Sequence, residues 1–583
     1  MADRLLDRRR VLVGLSATGA GSVVFGHALA ALADQTTAVT VEMIRQAEWI
    51  SGLEFTEEER ELMLEEVNET LDGYDRLRQV AIDNAVPPAL HFRPLAVPPA
   101  SAASETLRAA QWSDDATTAK PSSDDDLAFA PVSQLSKLIK NRDISSVELT
   151  RLYLERLERF DPVLHCVITL TPELALRQAE QADREIAAGH YRGPLHGIPW
   201  GAKDLLAVPG FRTTWGAEPY RDQVRPDKAT VVTHLEDAGA VLLAKLSLGA
   251  LAWGDVWFDA KTRNPWNLEQ GSSGSSAGPA AATAAALAGF TLGTETWGSI
   301  VSPCTRCGVA GLRPTFGRVS RHGAMALSWS MDKIGPIARS VEDCAVVFDA
   351  IHGADGLDGT AADGPFHWPA RRDPNKLKIG FIPSLFDEDR TQEVEEEEQR
   401  QRLREWQQLD LQTLTTLRDM GLQLIPFELP GSLPIDDLAL ILTAEATTAF
   451  DELTRSGRDD LLVRQIKNAW PNSFRQGQLI PAVEYLRASR IRTLVMAAME
   501  EALGDLDVYV CPSFGGSNLL LTNLTGHPCV VVPNGFTSAG APASITFMGR
   551  LWRDEEALAL AHAYQEATDF HRQRPSLVTT DSP

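Results

Sequence analysis

Gln270-Gly271-Ser272-Ser273-Gly274-Ser275-Ser276-Ala277-Gly278-Pro279 runs directly into an almost pure alanine segment, Ala280 to Leu287, and then into Gly289-Phe290-Thr291-Leu292-Gly293-Thr294. Glycines and hydroxyls at this density cannot build a core by side-chain packing. A flexible linker is the plain alternative. A linker, however, would not lead straight into a segment that reads as a buried helix. Alanine lets backbones approach closely, so the stretch reads as a compact loop held inside the fold.

On its C-terminal side stands Gly293-Thr294-Glu295-Thr296-Trp297-Gly298-Ser299-Ile300. A serine after a glycine turn, following an apolar strand, can present its hydroxyl beside a cluster of backbone N–H groups. Acyl transfer needs such preorganised donors for its oxyanion. The turn alone is a weak signal, and no G-x-S-x-G elbow accompanies Ser299, so an α/β-hydrolase reading fails. On the N-terminal side lies His196-Gly197-Ile198-Pro199-Trp200-Gly201-Ala202-Lys203-Asp204. An ordinary lysine, with a pKa of about 10.4, is protonated at pH 7 and is a poor base. Burial penalises the charged form, and a neutral Lys203 could deprotonate a serine network. Taken by itself, this segment fits a surface Lys203–Asp204 pair equally well.

Together the three stretches resemble the amidase signature family. The family's glycine/serine signature is usually Gly-Gly-Ser-Ser-Gly-Gly-Ser, followed by a small-residue helix and Gly-Thr-Asp-x-Gly-Gly-Ser. Here these appear as Ser273-Gly274-Ser275-Ser276-Ala277-Gly278-Pro279 and Gly293-Thr294-Glu295-Thr296-Trp297-Gly298-Ser299. Lys203 falls in the family's Gly-Ile-Pro-x-x-x-Lys-Asp motif. The family's bridging serine precedes its nucleophile by 24 residues, and 299 minus 24 is 275. Further matches are Asn264-Pro265-Trp266, Gly308 to Thr315, Asp332-Lys333-Ile334-Gly335-Pro336 and Gly526-His527-Pro528-Cys529. The likeness covers roughly 130 to 570.

The resemblance implies an α/β amidase signature fold, a central mixed β-sheet covered by helices on both faces. It also implies a Ser–cis-Ser–Lys triad of Ser299, Ser275 and Lys203, with a cis peptide at Ser275. The oxyanion donors would be the backbone N–H groups of Thr296, Trp297, Gly298 and Ser299. The expected reaction is hydrolysis of a small-molecule linear amide, not a peptide bond, through a Ser299 acyl-enzyme, without cofactor or metal. Trp297, Glu295 and Ser276-Ala277-Gly278-Pro279 depart from the usual pattern, and none removes a catalytic side chain. A tryptophan does not readily take a positive φ, and its ring would either line the acyl pocket or fill the core. A noncatalytic or low-activity binding protein and the ammonia-generating component of an amidotransferase remain as alternative classes.

The rest of the chain frames this centre. Between about 196 and 345, strand-like runs such as Val241-Leu242-Leu243-Ala244 and Gly308 to Leu312 alternate with helices, which is α/β organisation. Pro131 to Leu157 is helical, with a capping signature at Ser145-Ser146-Val147-Glu148. An acidic, Gln-rich helix is expected from Glu393 to about Met420, after a strand at Leu377 to Ile382. Residues 41 to 84 carry apolar positions at helical spacing, and 85 to 127 are rich in Pro, Ala, Ser, Thr and Asp. The expected division is therefore 1–33, 34–127 and a catalytic domain over 128–583.

Residues 1–33 read as an export leader. Arg8-Arg9-Arg10 precedes an apolar run from Val11 to Gly26, and Ala31-Leu32-Ala33 offers a cleavage site. The paired arginines fit the twin-arginine type, which implies a periplasmic or extracellular protein. The apolar part is shorter than a membrane span requires and is interrupted by His27, which argues against a stable anchor. Lys plus Arg number 55 against 79 Asp plus Glu, a net charge of -24, which argues against a nucleic-acid partner. A homodimer stays open. The six cysteines include Cys304 and Cys307 at C-x-x-C spacing, equally compatible with a disulfide and with buried free thiols.

Overall fold

Apolar runs separated by glycine turns become strands that lie side by side when each is buried on both faces. The computed structural model describes residues 38–80, 90, 112, 119–370, 372–392 and 394–578. The strands among them are β1 (Val167–Leu170), β2 (Pro199–Lys203), β3 (Val241–Leu246), β4 (Arg263–Asn264), β5 (Asn267–Gly271), β6 (Phe290–Glu295) and β7 (Ala310–Arg313). They continue with β8 (Lys333–Ala338), β9 (Ile379–Phe381), β10 (Leu424–Pro426), β11 (Val508–Pro512), β12 (Cys529–Phe536) and β13 (Pro542–Gly549). Eleven of these form one sheet in the order β1-β3-β2-β6-β8-β7-β12-β13-β11-β9-β10, and β4 and β5 form a separate hairpin. β2 is parallel to both β3 and β6, and the run from β6 through β11 is antiparallel. The sheet is therefore mixed, with helices on its faces, as expected for an α/β fold.

Two features set where the signature loop sits. All eight residues of the helix Ala277–Ala284 are buried, and short side chains let it lie close to the sheet. A Cβ on Gly278 would come within 2.5 Å of both the Cys166 carbonyl oxygen and the Ser247 amide, so only glycine fits this contact. The expected cap also forms: Ser145 and Glu148 make a reciprocal capping box on the helix Ser146–Leu164.

The sequence expectations hold for β3, β7 and β9 and need correction elsewhere. The acidic helix begins at Glu397 and ends at Asp419, so Glu395 and Glu396 precede it. Asp124-Asp125-Asp126 opens a helix, Asp124–Phe129, capped by the Ser123 hydroxyl. Carboxylates in a first turn meet unpaired N–H groups and the positive helix end, which favours helix there. That helix crosses the boundary drawn at 127/128, and Tyr153 Oη donates to the Ala128 carbonyl at 2.9 Å. The N-terminal stretch forms two helices, Val41–Ser51 and Glu57–Gln79. All six cysteines are buried free thiols. The leader read at 1–33 lies outside the described residues, as does the stretch 81–118 apart from Leu90 and Trp112. No helix among the described residues is long and apolar enough to cross a membrane.

The surface pairing of Lys203 with Asp204 does not occur. Asp204 is fully buried and pairs with the equally buried Lys245 of β3 at 2.7 Å. Its second oxygen accepts from the Thr214 amide at 2.8 Å. Lys245→Met would leave Asp204 buried without its counter-ion. We expect a loss of about 3–5 kcal/mol in stability, read by denaturant unfolding.

Candidate active site

β2 ends at Lys203, and all five of its residues are buried. Parallel pairing of Ala202 with Leu292 brings the end of β6 alongside, so Thr294 stands next to the lysine. Lys203 Nζ lies 2.8 Å from Ser275 Oγ, 2.8 Å from Thr294 Oγ1 and 3.1 Å from Ser276 Oγ. It also donates to the Thr294 carbonyl at 3.4 Å. Burial drives its pKa well below the ordinary lysine value, and the carboxylates of Asp332 and Glu295 only partly oppose this. Hydroxyl partners suit a neutral amine, which keeps one lone pair free to accept a proton.

The loop that carries Ser275 is pressed tightly into place. The Gly274–Ser275 peptide is cis, as the resemblance implied. A Cβ on Gly274 would lie 1.8 Å from the Gly254 carbonyl oxygen. Ser276 Oγ accepts from the Thr294 amide at 3.1 Å, and the Ser276 amide donates to the Ser299 carbonyl at 3.2 Å. These two contacts bind the serine-rich loop to the Thr294–Ser299 segment.

Glu295 holds the turn itself. One carboxylate oxygen accepts from the amides of Ile300 and Val301 at 2.8 and 3.0 Å. The other accepts from Arg313 at 2.8 Å and from Asn523 at 2.9 Å. Burial would raise the Glu295 pKa, but the Arg313 charge and these donors outweigh it and hold the carboxyl at about 2. Asp332 pins the other side, accepting from Thr296 Oγ1 at 2.6 Å and from the amides of Leu327 and Ser328.

Between these anchors, the N–H groups of Thr296, Trp297, Gly298 and Ser299 make no hydrogen bond to any described residue. Gly298 takes the left-handed conformation, φ 84°, while Trp297 is not among the positive-φ residues. The conformational problem posed by tryptophan is thus absorbed one residue later. The Trp297 side chain is 45% exposed, so it does not fill the core. Ser299 is half-buried, and its hydroxyl makes no hydrogen bond to Ser275 among the described residues. Catalytic hydrogen bonds often tighten only when substrate is bound. Beside the turn opens a cavity of about 210 Å³, lined by Thr296, Met325, Leu327, Trp329, Asp332 and Ile334 among others.

The structure thus brings Lys203 and Ser275 into contact and sets Ser299 one backbone hydrogen bond from Ser276. Sequence reasoning missed Thr294 and Ser276 as partners of the lysine, and Glu295–Arg313–Asn523 as the clamp on the turn. The dense hydroxyls were visible, but spacing alone does not say which of them meets the amine.

Residues 148–558 match the amidase family. One component of the glutamyl-tRNA(Gln) amidotransferase from Geobacter metallireducens is 34% identical over 491 residues, covering 76% of this chain and 99% of that protein. The crystal structure of a peptide amidase from Stenotrophomonas maltophilia has a TM-score of 0.66 and 31% identity over 76% of this chain and 98% of that one. A 6-aminohexanoate cyclic dimer hydrolase, at 21% identity and TM-score 0.66 over 77% of this chain and 99% of that one, is alike in fold alone.

The Glu295 clamp has a pH signature. A carboxyl lowered from 4.5 to about 2 adds stability that is fully present above 4.5 and is lost as pH falls towards 2. Glu295→Gln leaves Arg313 buried without its counter-ion and should cost about 3–5 kcal/mol at neutral pH. Urea unfolding followed from pH 7 to pH 2 should show the gap between parent and variant closing below pH 4.5. A gap independent of pH would refute the clamp.

Proposed function

The chain belongs to the amidase family and hydrolyses a carbon–nitrogen amide bond, and we propose that it does so through an acyl-enzyme on Ser299. In this reading neutral Lys203 accepts the Ser275 hydroxyl proton while Ser275 takes the proton of Ser299. Ser299 Oγ forms a bond to the amide carbon, and the carbonyl oxygen becomes an oxyanion. The N–H groups of Thr296, Trp297, Gly298 and Ser299 stabilise it, each worth about 3 kcal/mol, or on the order of a hundredfold in rate. The relay returns the proton to the nitrogen, the C–N bond breaks, and ammonia or amine leaves. Water attacks the ester by the same relay in reverse and releases the acid.

The observation that carries this reading is the buried Lys203 amine, 2.8 Å from Ser275 Oγ and surrounded by hydroxyls rather than paired with a carboxylate. The substrate we propose is a small linear amide. Likeness to a peptide amidase supports an amide as the bond cleaved. Likeness to an amidotransferase component favours release of ammonia and supplies a second reading, in which ammonia is handed to a partner. Amide hydrolysis by the isolated chain with free ammonia in solution would decide for the first. We further propose that residues 1–33 are a twin-arginine leader, that 34–127 form an N-terminal extension and that 128–583 form the catalytic domain of an exported protein, with the helix Asp124–Phe129 joining the last two.

Ser299→Ala should abolish labelling by a fluorophosphonate and amide hydrolysis. Lys203→Ala should lose nearly as much and Ser275→Ala somewhat less, with losses that do not multiply, because the three act as one unit. A Ser299→Ala variant within tenfold of the parent would remove the nucleophile assignment.

Hydrolysis needs the amine unprotonated, so kcat/KM should rise with pH along a limb set by Lys203. Because burial lowers that pKa, the limb should lie well below 10.5 in a pH–rate profile. A limb at the ordinary lysine value would contradict the relay.

Export is tested separately. Mature protein should begin near Asp34, and changing Arg8 and Arg9 together to Lys should leave precursor inside the cell, as N-terminal sequencing of each fraction would show.

A further inference from the structure

The helices Val41–Ser51 and Glu57–Gln79 precede the span that matches the family. Part of their contact with the body runs through the helix Trp470–Gly477. Arg475, buried in the helix Trp470–Gly477, reaches Glu59 at 2.6 Å, Asp459 at 2.7 Å and Asp460 at 2.8 Å. One guanidinium therefore joins the N-terminal extension to the segment before its own helix. Gln476 donates to Glu66 at 3.0 Å, and Leu479 packs on the small cluster of Ile44, Phe55 and Met63.

The helix held in this way faces the catalytic loop. Trp470 Nε1 donates to the Leu251 carbonyl at 2.8 Å, and its ring meets Trp253 edge-on at 4.6 Å. Leu251 and Ala252 both have positive φ, 50° and 63°. Two consecutive side-chain-bearing residues in the left-handed region are strained, and such strain persists only where surrounding contacts over-determine it. Those contacts are Trp470 on the Leu251 carbonyl and the Trp215 carbonyl on the Leu251 amide. The strained loop ends at Gly254, whose carbonyl oxygen leaves no room for a side chain on Gly274. The next residue, Asp255, accepts from the Ser273 amide at 3.1 Å. Ala252 also lines the cavity beside the turn.

We propose that the N-terminal helical pair is a positioning element for the active site. Through Arg475 it fixes the helix Trp470–Gly477, and Trp470 holds the loop 249–254 against Gly274, the residue before Ser275. This rests on the reading of Ser275 as the bridging serine. Glu59, Arg475 and Trp470 touch no reacting atom and act through the loop. The trio Glu59, Asp459 and Asp460 has carboxylates close enough for a metal ion, but Arg475 already supplies its cation.

A double-mutant cycle tests the connection. Glu59→Gln and Trp470→Phe should each lower kcat for a linear amide about tenfold, with KM changed less than about twofold, and the double variant should be close to the worse single one. Arg76→Gln breaks the contact of the same N-terminal helix with Asp437, far along the chain from Arg475, and should lower Tm while leaving kcat alone. Losses that multiply to about a hundredfold would make the two sites independent and overturn the proposal. So would a Glu59→Gln variant with the parent's kcat and a lower Tm, or an Arg76→Gln variant as impaired as Glu59→Gln. Should Trp470→Phe fail to fold, the comparison of Glu59→Gln with Arg76→Gln decides alone. Ser275→Ala separates the two readings. A large loss there with none in Glu59→Gln overturns the brace and leaves the relay standing, whereas parent-like kcat in Ser275→Ala removes the relay itself.

Discussion

A lysine buried among hydroxyls is the constraint on which the rest of this structure depends. An ammonium taken out of water favours the nearest carboxylate, and a direct ion pair would keep it charged and useless as a base. Each nearby carboxylate is instead occupied elsewhere. Asp204, adjacent in sequence, turns to Lys245. Glu295 is taken by Arg313, and Asp332 by Thr296 and two amides. Lys203 is left with Ser275, Ser276 and Thr294. The lowered pKa of Lys203 thus follows from its burial and from three neighbouring carboxylates that are all satisfied by other partners.

The same pairing shapes the turn proposed to receive an oxyanion. Glu295 binds the amides of Ile300 and Val301, just beyond the turn, and Asp332 binds the Thr296 hydroxyl just inside it. The four intervening N–H groups have no hydrogen-bond partner among the described residues while their neighbours are held, an arrangement that suits preorganised donors. Substituting either anchor should therefore disturb chemistry and stability together. Gly298 supplies the positive φ, so Trp297 keeps an ordinary backbone conformation and projects its ring outward.

Packing extends the constraint outward. The helix Ala277–Ala284 can approach the sheet only because its side chains are small and position 278 has none. That close approach brings Ser276 to β6 and Ser275 to Lys203. The opposite side of the loop is pressed by Gly254, in a strained segment that Trp470 stabilises. The serine loop is consequently clamped from two directions.

By itself, the sequence determined the fold class, the cap at Ser145 and the buried strands, and it supplied the three positions proposed for the triad. These depend on local pattern: apolar runs, a capping box, a glycine/serine loop and fixed spacings along the chain. The acidic segments were less legible, because a run such as Asp124 to Asp126 suits a solvated loop and a helix first turn equally well. Which hydroxyls meet Lys203, which cation each carboxylate takes and where the Trp297 ring points were decided only in three dimensions. Asp204 shows why. Its partner, Lys245, lies 41 residues away on the adjacent strand, and parallel pairing of β2 with β3 brings the two together. Arg475 and Glu59 are further apart still along the chain and meet only because the N-terminal helix docks where it does. Local pattern is read from neighbours in the chain, whereas charge pairing in a dry interior is a property of neighbours in space.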